Sequence, residues 1–165
     1  MPVGTTSEEI DSAAPAAAAA GPPGVRLARG VCRALVDLGF APILEFAPTR
    51  GLRADVFAVG PKGEIWIVEC KSGLPDFRAD TKWTGYLGWC DRFLFAVDAA
   101  FPVEALPEAH GLMIADDWGA EILREAPASP LASARRKALT LRAARVAAVR
   151  LAAALDPGTP ALSDL

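Results

Sequence analysis

The chain has 165 residues, 52% of them apolar, and a formal net charge of −3. That is one domain's worth of chain with enough apolar side chains to bury a real core. The alanine-rich stretch 13–20 lacks the length and bulk of a membrane helix, and the acidic Ser7-Glu-Glu-Ile-Asp11 before it is unlike the basic start of a secretory signal, so a soluble, cytoplasmic protein is expected.

Residues 1–24 are rich in Ala, Pro, Gly and Ser, which predicts a disordered tail. A domain over 25–155 follows, then a second disordered tail over 156–165 that opens with Asp-Pro-Gly-Thr-Pro. Leu27, Val31, Leu35 and Leu38 share one face of a helix over 25–38, and Gly39 is placed to end it. Residues 40–46 read as a first strand, with Pro42 pushing it toward a sheet edge. The runs 52–59 and 64–71 flank Gly60-Pro-Lys-Gly63, which predicts a β-hairpin. Pro75-Asp76 offers a helix start, with Asp76 as its cap and an end near Trp89. A strand over 91–97 comes next, then short strands over 111–115 and 120–123, and a long alanine-rich helix over 131–155. The middle helix can return the chain to a parallel strand, which makes the fold an α/β mixed sheet flanked by helices.

Within the hairpin, Glu69 and Lys71 point to one side of the sheet and Cys70 to the other, because side chains alternate along a strand. With Asp55 on the same side, three charged groups share a small volume. A divalent cation between the carboxylates is the simplest compensation. Asp55 and Glu69 would hold Mg²⁺ or Mn²⁺, helped by the Cys70 backbone carbonyl, and Lys71 would position water or stabilise developing charge. Phosphodiester hydrolysis is the chemistry that such a site serves. The same carboxylates also fit the solvent face of an amphipathic sheet.

The stretch from Arg53 to Ser72 resembles the catalytic hairpin of PD-(D/E)xK nucleases, with Asp55, Glu69 and Lys71 matching that motif's Asp, Glu and Lys. The following Asp76-Phe-Arg-Ala-Asp-Thr-Lys-Trp83, Tyr86 and Cys90-Asp-Arg-Phe-Leu-Phe-Ala-Val97 resemble MmcB-type DNA repair proteins of that superfamily. The resemblance implies a restriction-endonuclease-like fold and a magnesium-dependent nuclease acting in DNA repair. Two departures stand out: Ala54 replaces the proline that names the superfamily, and the first helix carries only Asp37 as an acid. Glu45, in the first strand, is the nearest substitute as a further metal ligand.

Arg78, Lys82 and Tyr86 fall at i, i+4 and i+8 on the expected middle helix, which would present them together to DNA, with Lys82 near the scissile phosphate. Asp76 and Asp80 read as helix-start charges. Arg53 is a further DNA-contact candidate. The last helix carries Arg135, Arg142, Arg145 and Arg150, with no acid from Pro127 to Leu155. These are either phosphate contacts or a solvated face, and Leu141, Ala144, Ala148, Leu151 and Leu155 are expected to form the helix's apolar side. All 17 basic residues lie between Arg26 and Arg150, and that central segment carries a net +2, which permits DNA as a partner without demanding it. Cys32, Cys70 and Cys90 form no CxxC pair and read as reduced thiols. His110, the only histidine, reads as a surface loop residue. A catalytically inactive module binding DNA or a repair protein is the rival function, and the pattern leaves the oligomeric state open.

Overall fold

Proline at its first turn and glycine just past its end delimit the first helix, α1 (Pro23–Asp37), in the computed structural model, which describes residues 21–160. The expected tails over 1–20 and 161–165 lie outside the described residues. Helix α1 starts two residues inside the expected N-terminal tail. Gly39 adopts φ 83°, and its N–H and that of Phe40 satisfy the carbonyls of Val36 and Leu35. Leu27, Val31 and Leu35 are buried as the periodicity requires, whereas Leu38 remains exposed.

Six strands follow: β1 (Ala41–Phe46), β2 (Ala54–Val59), β3 (Ile65–Lys71), β4 (Arg92–Val97), β5 (Gly111–Ala115) and β6 (Ala120–Arg124). They lie side by side in chain order. Strands β1, β2 and β3 are antiparallel neighbours, β3, β4 and β5 are parallel, and β6 returns antiparallel to β5. The architecture is the expected α/β mixed sheet flanked by helices. Helix α1 covers one face, where Leu27, Val31 and Leu35 meet Val56, Val68, Leu94 and Met113. It can approach closely because residue 30 is glycine: a Cβ there would stand 2.1 Å from the Asp116 carbonyl oxygen.

The other face is aromatic and is covered by the last helix, α3 (Ser133–Leu155), together with the β3–β4 crossover. Phe57, Ile65, Ile67, Phe93 and Phe95 form its floor. Here two expectations fail. The middle helix does not run to Trp89. It stops as a short helix, α2 (Leu74–Ala79), Asp80 is extended, and a 3₁₀ segment spans Trp83–Trp89. The Asp80 carboxylate takes the Lys82 N–H, a local side-chain bond that competes with helix continuation. Trp83 then packs onto Phe93 and Phe95. Asp76 lies in the first turn of α2 and does not cap it, since Gly73 is the cap residue; its carboxylate accepts from Ser72.

In α3, Leu139, Ala143 and Val146 are the buried residues, while Leu141, Leu151 and Leu155 are exposed. The helix is rotated relative to the expected apolar side. Arg136 accounts for the rotation: its guanidinium forks onto Asp91, which also accepts the N–H groups of Ile65 and Leu131. That carboxylate ties β3, β4 and the start of α3 together, so Arg136 and the positions three and seven residues on must face inward. His110 also departs from its expected surface role. It packs against Trp83, Phe93 and Phe95, and burial lowers its pKa. The three cysteines are free thiols, as expected.

Candidate active site

The β2–β3 ladder has its last regular pair at Val56 and Val68, so one step further Asp55 and Glu69 stand opposite each other. There the carboxylates replace the backbone partners. Asp55 N–H donates to Glu69 Oε1 at 3.2 Å, and Cys70 N–H donates to Asp55 Oδ2 at 2.8 Å. The reciprocal bonds orient both side chains with one oxygen of each. Glu69 lies on the face of Ile65 and Ile67, and Lys71 two residues on continues it. Lys71 Nζ sits 3.5 Å from Glu69 Oε2 and 2.5 Å from Asp80 Oδ2. Glu69 and Lys71 are each only 4% exposed.

Two carboxylates thus flank one ammonium and a third, Asp55, lies beside Glu69, and the electrostatics register the imbalance. Loss of water, and then the neighbouring Asp55 charge, push Glu69 up to about 8. Burial also raises Asp55. For Lys71, burial by itself would favour the neutral amine, but the hydrogen bond to Asp80 and the charges of Glu69 and Asp55 outweigh it, so its pKa is raised. Burial opposes ionisation of Asp80 too, yet Lys71 holds it below the ordinary carboxylate value. The ammonium therefore belongs chiefly to Asp80, and the Asp55–Glu69 pair is left short of positive charge.

A cavity of about 370 Å³ opens onto these groups. Val25 and Leu44 form an apolar wall on it, while Asp55, Glu69 and Lys71 supply the polar side. A wider depression of about 720 Å³ surrounds Trp118 at the β5–β6 turn. Its Asp116 is already engaged by the N–H groups of Trp118 and Gly119, so the paired, desolvated carboxylates mark the smaller cavity as the chemical one.

The other candidates are dispersed. Glu45 lines the same cavity, but its carboxylate pairs with Arg53 at 2.7 Å. Among the described residues, no three acidic, histidine or cysteine side chains are gathered tightly enough to hold an ion. Arg78 and Lys82 are exposed, but they lie on different elements. Tyr86 is buried against Phe93 and donates its hydroxyl to the Arg53 carbonyl, so the three do not form one face. Arg135 lies over Trp89 and donates to the Gly88 carbonyl. Arg145 is exposed, and Arg142 is half-buried with its Nε unpaired. The residue that sequence reasoning missed is Asp80. Its place after Pro75 reads as a helix-start charge, and no spacing rule links it to Lys71 across a broken helix.

The chain matches the MmcB-like family, described as DNA repair protein MmcB-like, over residues 15–158. It belongs to that MmcB-like DNA repair family. Among solved structures it is similar to SPO1766, a protein of unknown function from Silicibacter pomeroyi, with 54% sequence identity and a TM-score of 0.85; the match covers 88% of this chain and 99% of that one. No curated protein matches. In this MmcB-like chain, no helix among the described residues is long and apolar enough to cross a membrane.

Proposed function

We propose that this MmcB-like protein is a metal-dependent deoxyribonuclease acting in DNA repair, of the PD-(D/E)xK type, with the Asp55–Glu69 pair as its metal-binding centre. The observation that carries the reading is this pair of desolvated carboxylates, locked by reciprocal backbone bonds and short of positive charge. The donor set suits a hard cation that prefers oxygen ligands. Asp55, Glu69 and the Cys70 carbonyl would hold Mg²⁺ or Mn²⁺, which when bound neutralises a scissile phosphate and activates water.

The chain's own groups do the rest. Glu69 must give up its proton before it can serve as a ligand, because burial keeps it protonated at neutral pH. Lys71 stays an ammonium and so acts as a donor to developing negative charge, not as a general base. Asp80 fixes that ammonium at 2.5 Å and stops it from collapsing onto Glu69. Lys82, Arg78 and Arg145 are exposed cations available to phosphates outside the centre.

A non-catalytic module binding DNA or a repair protein is the second reading. It is favoured by the absence of a third carboxylate gathered at the pair among the described residues. One experiment separates the two. Purified protein is incubated with Mg²⁺ or Mn²⁺ and a panel of duplex, single-stranded, flap and junction DNA. Cleavage that is abolished by Asp55→Asn and by Lys71→Ala, with melting profiles retained, supports the nuclease. No cleavage of any form, together with no Mn²⁺-induced rise in melting temperature, rejects it in favour of the module.

A further inference from the structure

Among the described residues, Glu45 is the one non-glycine with positive φ, at 50°. An L-residue enters that region only when its surroundings impose it, and such residues cluster at working sites. Its neighbours Leu44 and Phe46 pair with Val56 and Ala54, so Glu45 stands across from Asp55. Leu44 and Glu45 both line the Asp55–Glu69 cavity.

Arg150 braces this turn. It is exposed but lies in helical register with Arg136, Leu139, Ala143 and Val146 on α3. One guanidinium nitrogen donates to the Leu44 carbonyl and the other to the Glu45 carbonyl, the latter at 3.0 Å. The Glu45 carboxylate in turn takes Arg53 Nε at 2.7 Å. The backbone of Arg53 is pinned separately, because its carbonyl accepts the buried Tyr86 hydroxyl at 2.8 Å. The Arg53 side chain is 72% exposed, and the residue precedes Asp55 by two positions. Its Nε is committed to Glu45, which leaves the two terminal nitrogens, the donors that a phosphate takes as a fork.

We propose that Glu45 is a positioning residue, set by Arg150, that holds the Arg53 guanidinium at the mouth of the cavity to receive a DNA phosphate. This rests on the DNA-cleaving reading above and gives the third acidic residue a role outside the metal's ligand set. A long exposed arginine samples many rotamers, and tying Nε to a fixed carboxylate narrows them toward the site.

The test is DNA affinity measured by fluorescence anisotropy in EDTA, so that cleavage plays no part, over a salt series. Arg53→Ala should weaken binding about tenfold and reduce the salt slope by about one, the signature of one lost phosphate contact. Glu45→Gln removes a negative charge beside DNA, and simple electrostatics requires tighter binding. Positioning requires the reverse, a loss of about three- to tenfold, with Arg150→Ala changing affinity in the same direction. The double variant Arg53→Ala/Glu45→Gln should bind no more weakly than Arg53→Ala, because Glu45 acts through Arg53. Glu45 is exposed, so its variant decides the matter even if Arg150→Ala does not fold. Tighter binding by Glu45→Gln, or losses that add in the double variant, overturns the proposal. If wild-type protein cuts DNA with Mg²⁺ or Mn²⁺ while Glu45→Gln binds more tightly, only this inference falls; if wild-type protein neither binds DNA in EDTA nor cuts it with Mg²⁺ or Mn²⁺, both readings fall.

Discussion

Replacing Glu69 by Gln tests the charge crowding that the whole site depends on. In the folded protein Glu69 titrates near 8, against an ordinary value of 4.5. The folded state therefore holds that proton more tightly than the unfolded chain does. The corresponding stability is fully present below about pH 4.5 and is lost as pH rises through 8. At 1.36 kcal/mol per pKa unit, the loss across that window is on the order of 4–5 kcal/mol, an upper bound because Asp55 and Lys71 adjust as Glu69 ionises. Glutamine mimics the protonated acid and has no charge to lose. In metal-free buffer, melting curves of wild type and Glu69→Gln should nearly coincide at pH 4.5 and separate toward pH 9, with the variant more stable by about 14 °C at most, at roughly 3 °C per kcal/mol. Adding Mn²⁺ at pH 8 should raise the wild-type melting temperature and leave the variant unchanged. Parallel pH profiles for the two proteins would show that Glu69 is ionised at neutral pH without help, and the argument for a cation between Asp55 and Glu69 would lose its basis.

Asp80→Asn removes the carboxylate that fixes Lys71, and breaking a largely buried pair costs about 3 kcal/mol; urea denaturation should show that loss, and metal-dependent cleavage should fall while Mn²⁺ binding persists. Asp91→Ala strips the partner of Arg136 together with the acceptor of two backbone N–H groups, and a loss of similar size, about 3 kcal/mol, is expected in the same assay. Because Asp91 lies apart from the cavity, cleavage per folded molecule should be unchanged below the variant's melting temperature. Equal loss of cleavage and folding for Asp80→Asn, or lost cleavage without lost stability for Asp91→Ala, would contradict these assignments.

Much of the site was legible because strand periodicity and a tight turn are local physics. Gly60 and Gly63 close the hairpin through the Gly63-to-Gly60 and Gly60-to-Glu64 backbone bonds, and Gly63 takes φ 80° there. Once the hairpin forms, alternation alone puts Glu69 and Lys71 on one side, and the register brings Asp55 opposite Glu69. The resemblance to MmcB-type DNA repair proteins agrees with the family match.

The sequence by itself determined the sheet's strands, the hairpin and the acid pair, because each follows from contacts between residues near in sequence. Only the tertiary structure decided the rotation of α3, the break after Ala79 and the left-handed turn at Glu45. An alanine-rich helix offers two apolar stripes of similar quality, and the one that faces inward is chosen by Arg136 reaching Asp91, 45 residues away. Asp80 leaves the helix because its side chain binds Lys71 and the Lys82 N–H, and Glu45 is held by an arginine 105 residues further along the chain. The Arg136–Asp91 and Arg150–Glu45 partners meet only after the layers pack, so no local window of sequence contains that information.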